Sequence, residues 1–246
     1  METIWLNSID STNNEAARRM DSLDNLSVIA AKCQTHGRGQ RGNSWLSGDG
    51  ENLTFSMVLK FSGRNGMAAK DQFALSQAAS LAVVAFLEEN GIRAMIKWPN
   101  DIYVGDSKIC GILIENTLAG ARIATSIVGI GLNLNQTAFP GQVLNPVSAR
   151  LRTGRTFDVE SSLERLAGLL EHYFALAVDT PSGSCLNDRY ISLLYRRGER
   201  HDYTDCRTGE VFQGIIKGIT PEAKLVVETS DGACREFYFK EISYII

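Results

Sequence analysis

"THGRGQRGNSW", residues 35–45, decides how the first half of this chain is read. Gly37, Gly39 and Gly42 satisfy G-x-G-x-x-G, the spelling of a dinucleotide-binding turn. Such a turn needs a strand before it and, after it, a helix whose N-terminus faces a pyrophosphate. "LSVIAAKCQ" (26–34) supplies the strand. The helix is missing: "NSWLSGDGEN" (43–52) has loop chemistry, and "LTFSMVLKF" (53–61) alternates as a second strand. The acidic residue expected about twenty positions on is also missing, since "FSGRNG" occupies that region. A kinase-type glycine loop is excluded because no H-R-D or D-F-G follows. The stretch is a loop between strands, with Arg38 and Arg41 set among glycines. Glycine lets the backbone approach a ligand closely, arginine brings forked donors to a carboxylate or phosphate, and Trp45 offers a flat face for stacking. A solvated loop with incidental arginines fits the composition equally well.

The rest of the chain narrows the choice. Its 246 residues are 44% hydrophobic and 22% charged, enough for one large domain with a small appendage. A net charge of −3 and a pI near 5.7 give no broad basic face for nucleic acid. Five cysteines without a C-x-x-C pair argue against a disulfide framework or zinc site, and the three inside apolar runs, Cys33, Cys110 and Cys185, predict buried reduced thiols in a cytosolic protein. His36, His172 and His201 are scattered, which argues against a histidine metal site. "METIWLNSIDST" at the start carries Glu2 and Asp10 and has no apolar run of a signal peptide or membrane span.

The pattern predicts strands over 3–9, 26–34, 53–61 and 92–98, the last stopped by Pro99, and an antiparallel pair over 108–116 and 121–135. It predicts helices after "DST" (10–12), over 67–91, 159–178 and 184–198. From about residue 199 the texture changes to short strands of a small barrel. This divides the chain into units 1–197 and 198–246.

Two further clusters carry candidate chemistry. "KWPNDIYVGDSKICGILIE" (97–115) holds Lys97, Asn100, Asp101, Lys108 and Glu115, although "PND" is also good turn chemistry. "GIGLNLN" (129–135) ends a strand with Asn133 and Asn135.

Together these pieces resemble the biotin protein ligases. That family runs, in order, through an S-T-N segment, Q-x-x-G-R-G-R-x-G-R-x-W, K-W-P-N-D, K-x-x-G-I-L-x-E and G-x-G-x-N. This chain has Ser11-Thr12-Asn13, Gln34 followed by "GRGQRGNSW", "KWPND" at 97–101, "KICGILIE" at 108–115 and "GIGLNLN". The tail from "FQGIIKGI" onward is similar to the family's SH3-like C-terminal domain. The resemblance implies an α+β fold: a mixed, largely antiparallel sheet flanked by helices, like class II aminoacyl-tRNA synthetases, plus a small C-terminal barrel. It implies the activity of a monofunctional biotin–[acetyl-CoA-carboxylase] ligase. Biotin is activated by ATP and Mg²⁺ to biotinyl-AMP, then transferred to a lysine of a biotin carboxyl carrier domain.

The same resemblance assigns residues. Ser11, Thr12, Asn13 and Gln34 would meet the ureido end of biotin. Arg38, Gly39 and Gln40 would wrap its carboxylate and the phosphate, with Lys108 and Gly111 beside them. Arg41, Trp45, Lys97, Asn100, Asn133 and Lys217 would serve the nucleotide. Arg38 and Lys108 would supply charge for catalysis, Asp101 would orient or deprotonate the acceptor lysine, and magnesium would ride on the ATP phosphates. Position 40 departs from the family, which usually carries a second arginine there. Larger members begin with a DNA-binding winged helix, whereas this chain begins at the catalytic segment, so no DNA binding and a cytoplasmic location are expected. A homodimer is left open. A lipoate–protein ligase is the nearest alternative, but its R-R-x-S-G-G-G loop is missing. A non-enzymatic biotin or nucleotide binder is disfavoured by the presence of Arg38 and Lys108.

Overall fold

A computed structural model of the chain describes residues 2–62, 66–141, 143–179 and 184–246, apart from the side chains of Arg41, Ser184 and Cys185. In chain order the elements are β1 (Thr3–Ile9), α1 (Thr12–Arg18), β2 (Val28–Gln34), β3 (Leu53–Lys60), α2 (Phe73–Glu89), β4 (Met95–Lys97), β5 (Asp101–Val104), β6 (Ser107–Ala119) and β7 (Arg122–Leu132). There follow α3 (Ala149–Thr153), α4 (Val159–Asp179), α5 (Ser184–Ser192), β8 (Arg200–Asp205), β9 (Glu210–Ile219), β10 (Leu225–Thr229), β11 (Cys234–Phe237) and β12 (Ile242–Tyr244).

Seven strands form one sheet in the order β1-β2-β3-β7-β6-β5-β4. Only β1 and β2 run parallel, joined across α1; the other neighbours are antiparallel. The sheet is thus mixed and largely antiparallel, as expected. β6 and β7 form a long hairpin whose turn places Gly120 at φ 62°, a region that favours glycine. α2 is rich in alanine and buried nearly all round, so it sits inside the molecule rather than on it. α4 covers it with an apolar stripe, Leu163, Leu166, Ala167, Leu170, Phe174 and Ala177, at helical spacing. The second sheet is antiparallel, in the order β11-β10-β9-β8-β12.

Aromatic side chains join the two sheets. Trp98 meets Phe239 edge to face at 5.0 Å, and its indole N–H donates to Ala223 O at 3.2 Å. Phe239 also neighbours Phe73, which meets Tyr190 at 5.5 Å. Tyr190 is fully buried and donates its hydroxyl to Pro99 O at 2.9 Å. Tyr190→Phe leaves that carbonyl without its donor. A loss of about 1 kcal/mol is expected, read as a fall of roughly 2–4 °C in Tm for a chain of this size. An unchanged melting curve would contradict the contact.

Several expected boundaries move. The helix predicted from residue 67 starts at Phe73, because residues 67–69 bind the β6–β7 turn: Ile123 N–H donates to Met67 O and Ala69 N–H to Ala121 O. The helix predicted over 184–198 stops at Ser192, since Leu193 and Tyr195 bond to either side of Ile96 on β4. The strand predicted over 92–98 shortens to Met95–Lys97, and β5 follows over Asp101–Val104, where no element was predicted. Of the three thiols expected to be buried, Cys110 is, Cys33 is only partly so, and the Cys185 side chain lies outside the described residues; Cys206 and Cys234 are exposed. Among the described residues no helix is long and apolar enough to cross a membrane.

Candidate active site

Three glycines make the floor. Gly111 on β6 lies opposite Gly131 on β7, and Gly129 is two positions back on the same strand face. A Cβ at Gly129 would fall 2.2 Å from Asn13 Oδ1, and one at Gly131 would fall 2.3 Å from Trp45 Cε2. A Cβ at Gly111 would stand 3.2 Å from the Trp45 ring and 3.3 Å from Lys108 Nζ. The missing side chains are the space in which Asn13, Trp45 and Lys108 lie.

The start of α1 forms one wall. Ser11, Thr12 and Asn13 are all buried. Gln34, the last residue of β2, accepts from Thr12 N–H at 2.7 Å, while Ser56 Oγ lies 2.6 Å from Asn13 Oδ1 and 2.8 Å from Thr12 Oγ1. These bonds fix the polar groups of the S-T-N segment over the floor. The Ser11 hydroxyl makes no cap bond to α1.

The opening loop forms the roof. It folds back on itself: Gly39 N–H donates to Asn43 O at 2.7 Å, and Trp45 N–H to Gly37 O at 2.9 Å. This return lays Trp45 on the glycine floor. Its indole nitrogen is buried without a partner, as is Thr54 Oγ1, which also lines the cleft. Two buried polar atoms without partners mark a space suited to a polar ligand.

The charges are arranged in pairs. Arg38 donates to both oxygens of Glu115, at 2.7 and 3.2 Å, and to Asn14 Oδ1 at 2.7 Å. Asn13 Nδ2 donates to Glu115 Oε2 at 2.8 Å, so Glu115 ties the S-T-N segment to the loop arginine. Lys108 Nζ lies 2.7 Å from Asp101 Oδ1 and 5.8 Å from the Trp45 ring centroid.

Ser11, Thr12, Asn13, Gln34, Arg38, Gly39, Gln40, Trp45, Asn100, Asp101, Lys108 and Gly111 all line one cleft of about 150 Å³. A second cavity shares Gln40, Asn100 and Ile112 with it and reaches Phe73, Tyr238 and Phe239. Other expected residues lie elsewhere. Lys97 is not in the cleft lining: it donates to Tyr103 Oη at 3.0 Å, packs against Tyr103 and Tyr244, and burial lowers its pKa. Lys217 is likewise outside the lining and faces Glu228 at 3.3 Å. Asn133 is buried at the end of β7; it donates to Val147 O at 3.0 Å, and its Oδ1 has no partner. The Arg41 side chain lies outside the described residues.

Sequence reasoning gave no role to Thr54, Ser56, Gly129, Gly131 or Lys240, all at or beside the cleft. The alternating glycines of "GIGLN" were a usable signal, because alternate strand positions share a face and glycine there admits a close neighbour. Lys240 had no such signal.

Comparison with known proteins identifies an enzyme of the ligase class. Residues 5–133 match the biotin/lipoate A/B protein ligase family. The chain is 30% identical to the biotin–[acetyl-CoA-carboxylase] ligase of Paracoccus denitrificans, over 91% of this chain and 92% of that protein. It is 34% identical to the bifunctional ligase/repressor BirA of Salmonella typhimurium, over 96% of this chain and 72% of that one. A solved biotin protein ligase from Aquifex aeolicus, in complex with biotin and ATP, matches with a TM-score of 0.77 at 25% identity, over 98% of this chain and 97% of that one. The chain therefore belongs to the biotin protein ligase family.

Proposed function

We propose that this chain activates biotin with ATP to biotinyl-5′-AMP and passes the biotinyl group to a lysine of a biotin carboxyl carrier domain. The observation that carries this reading is one cleft joining the buried S-T-N and Gln34 groups to the Lys108–Asp101 pair across a glycine floor. The Paracoccus denitrificans and Aquifex aeolicus relatives are biotin ligases by name, which favours biotin over lipoate.

In the first step a biotin carboxylate oxygen bonds to the α-phosphorus of ATP. The bond from that phosphorus to the bridging oxygen breaks, and pyrophosphate leaves with the electron pair. Two anions meet, so cations at the meeting point lower the barrier. Lys108 serves there, and Arg38 serves through the donors that Glu115 and Asn14 leave unused. Ser11, Thr12, Asn13 and Gln34 seat the ureido end, with Gly39, Gln40 and Gly111 along the chain toward the carboxylate. Trp45, Asn100 and the unpartnered Asn133 Oδ1 are placed on the nucleotide side, and Arg41 belongs there by its place in the loop. Lys97, opposite Asp101 across β4 and β5, and Lys217 also serve the nucleotide, each leaving the tyrosine or glutamate that holds it here. Magnesium enters with ATP as part of that substrate.

In the second step the acceptor amine attacks the acyl carbon and AMP departs. Asp101 takes or orients the amine proton once Lys108 has turned to the phosphate. Residues 1–197 form the catalytic unit and 198–246 the C-terminal unit.

Mass spectrometry of a carrier domain incubated with the enzyme, biotin and MgATP tests the reading. One biotinyl adduct on one lysine is expected. No adduct from folded enzyme, or a lipoyl adduct when lipoate replaces biotin, would overturn it.

A further inference from the structure

Among the described residues three cationic side chains line the cleft: Arg38, Lys108 and Lys240. Arg38 is held by Glu115 and Lys108 by Asp101, both at 2.7 Å. Lys240 alone makes no ion pair among the described residues. It comes from the turn between β11 and β12, in the second sheet, yet faces the same cleft as Gln40.

Two features fix that turn. Glu241 N–H donates to Tyr238 O at 3.0 Å and Tyr238 N–H to Glu241 Oε2 at 2.8 Å, closing the turn on itself. Phe239 stands 5.0 Å from Trp98, the residue after Lys97 and just before "PND", so the turn is anchored to the segment that carries Asn100 and Asp101. Lys240 itself has φ 70°, a left-handed conformation in which glycine carries no strain and lysine does. Strain of this kind tends to persist at functional sites.

We propose that Lys240 is a binding residue for the ATP triphosphate, supplying the positive charge that Gln40 does not. The inference rests on the adenylation reading above. Among the described residues, a triphosphate entering a cleft in which Arg38 and Lys108 already have carboxylates meets uncompensated charge at Lys240. A lysine ammonium, with three donors on a flexible stem, suits that task. The turn lies at the junction where the two cavities share Gln40, so the second sheet contributes directly to the site.

Biotin-dependent ATP–pyrophosphate exchange tests it, with wild type, Lys240→Gly, Lys240→Arg and Gln40→Arg compared, and biotin binding measured without ATP. Lys240→Gly relieves the left-handed backbone, so folding is expected to be kept or improved. It should raise KM for ATP about tenfold, the loss of one charge-assisted contact, and leave biotin affinity unchanged. Lys240→Arg should stay near wild type. In a Gln40→Arg background the effect of Lys240→Gly should shrink markedly. An unchanged KM for ATP in Lys240→Gly would overturn the proposal, as would a joint loss of biotin affinity and thermal stability, which marks a purely structural role. Absence of biotin-dependent exchange in wild type would instead overturn the adenylation reading itself.

Discussion

Lys108→Ala is expected to slow biotin-dependent ATP–pyrophosphate exchange by about 10²–10³-fold, the scale of about 2.7–4 kcal/mol seen when one stabilising donor is removed from a developing anion. The structure adds a second cost. Asp101 lies 2.7 Å from Lys108 Nζ, so the variant leaves a carboxylate uncompensated where another carboxylate and a phosphate must enter. Asp101→Asn reverses this: it keeps the lysine and removes the opposing charge. Exchange should then survive far better than in Lys108→Ala, while transfer to the carrier lysine falls. The fold should tolerate both changes, because this partly exposed ion pair contributes about 0–1 kcal/mol to stability. Exchange at the wild-type rate in Lys108→Ala would remove Lys108 from the chemistry.

The second large effect is expected from the smallest change, Gly131→Ala. The new Cβ would stand 2.3 Å from Trp45 Cε2 and 2.6 Å from its Nε1, and the strand that carries it is central in the sheet. Carbon atoms pack at about 3.5–4.0 Å, so the indole must move by about 1 Å or more. Misplacement on that scale in a site can cost about 10²-fold. A rise of about tenfold or more in KM for ATP is expected, with a changed fluorescence environment for Trp45. Gly168→Ala is the control: on α4 its Cβ would meet nothing within 4 Å. Better helix propensity there should be neutral or stabilising by up to about 1 kcal/mol. If Gly131→Ala and Gly168→Ala behaved alike, the glycine floor would have no functional meaning.

Most of the large sheet was legible because its strands carry their own signal. "TIWLNSI" forms a strand over the predicted residues, and "LTFSMVLK" and the β6–β7 hairpin differ by a few at their ends. Elements failed where a tertiary bond overrides a local preference. Leu193–Tyr195 has helical character in sequence, but Ile96 offers it backbone partners, and the turn chemistry of "PND" hides that Asp101 already begins the short strand β5. The site followed the same division. Arg38 and Lys108 were readable as cations near glycine or strand signals. The partner of Arg38 was not readable: Glu115 is 77 positions away, and only the sheet brings them together. Lys97 was readable as a cation of the site but its partners were not: it lies opposite Asp101 across β4 and β5, and its ammonium rests on the tyrosines of β5 and β12.

The clasp between Trp98 and Phe239 gives the two sheets a shared fate. The small sheet cannot open without uncovering an aromatic surface beside the "PND" turn, and the large one cannot rearrange there without releasing the 238–241 turn. Amide protons at the ends of β11 and β12 are therefore positioned to exchange with solvent in step with those of β4 and β5, as one cooperative unit. Whatever fills the cleft will be felt as slower opening in β11 and β12, strands that give no residue to its lining.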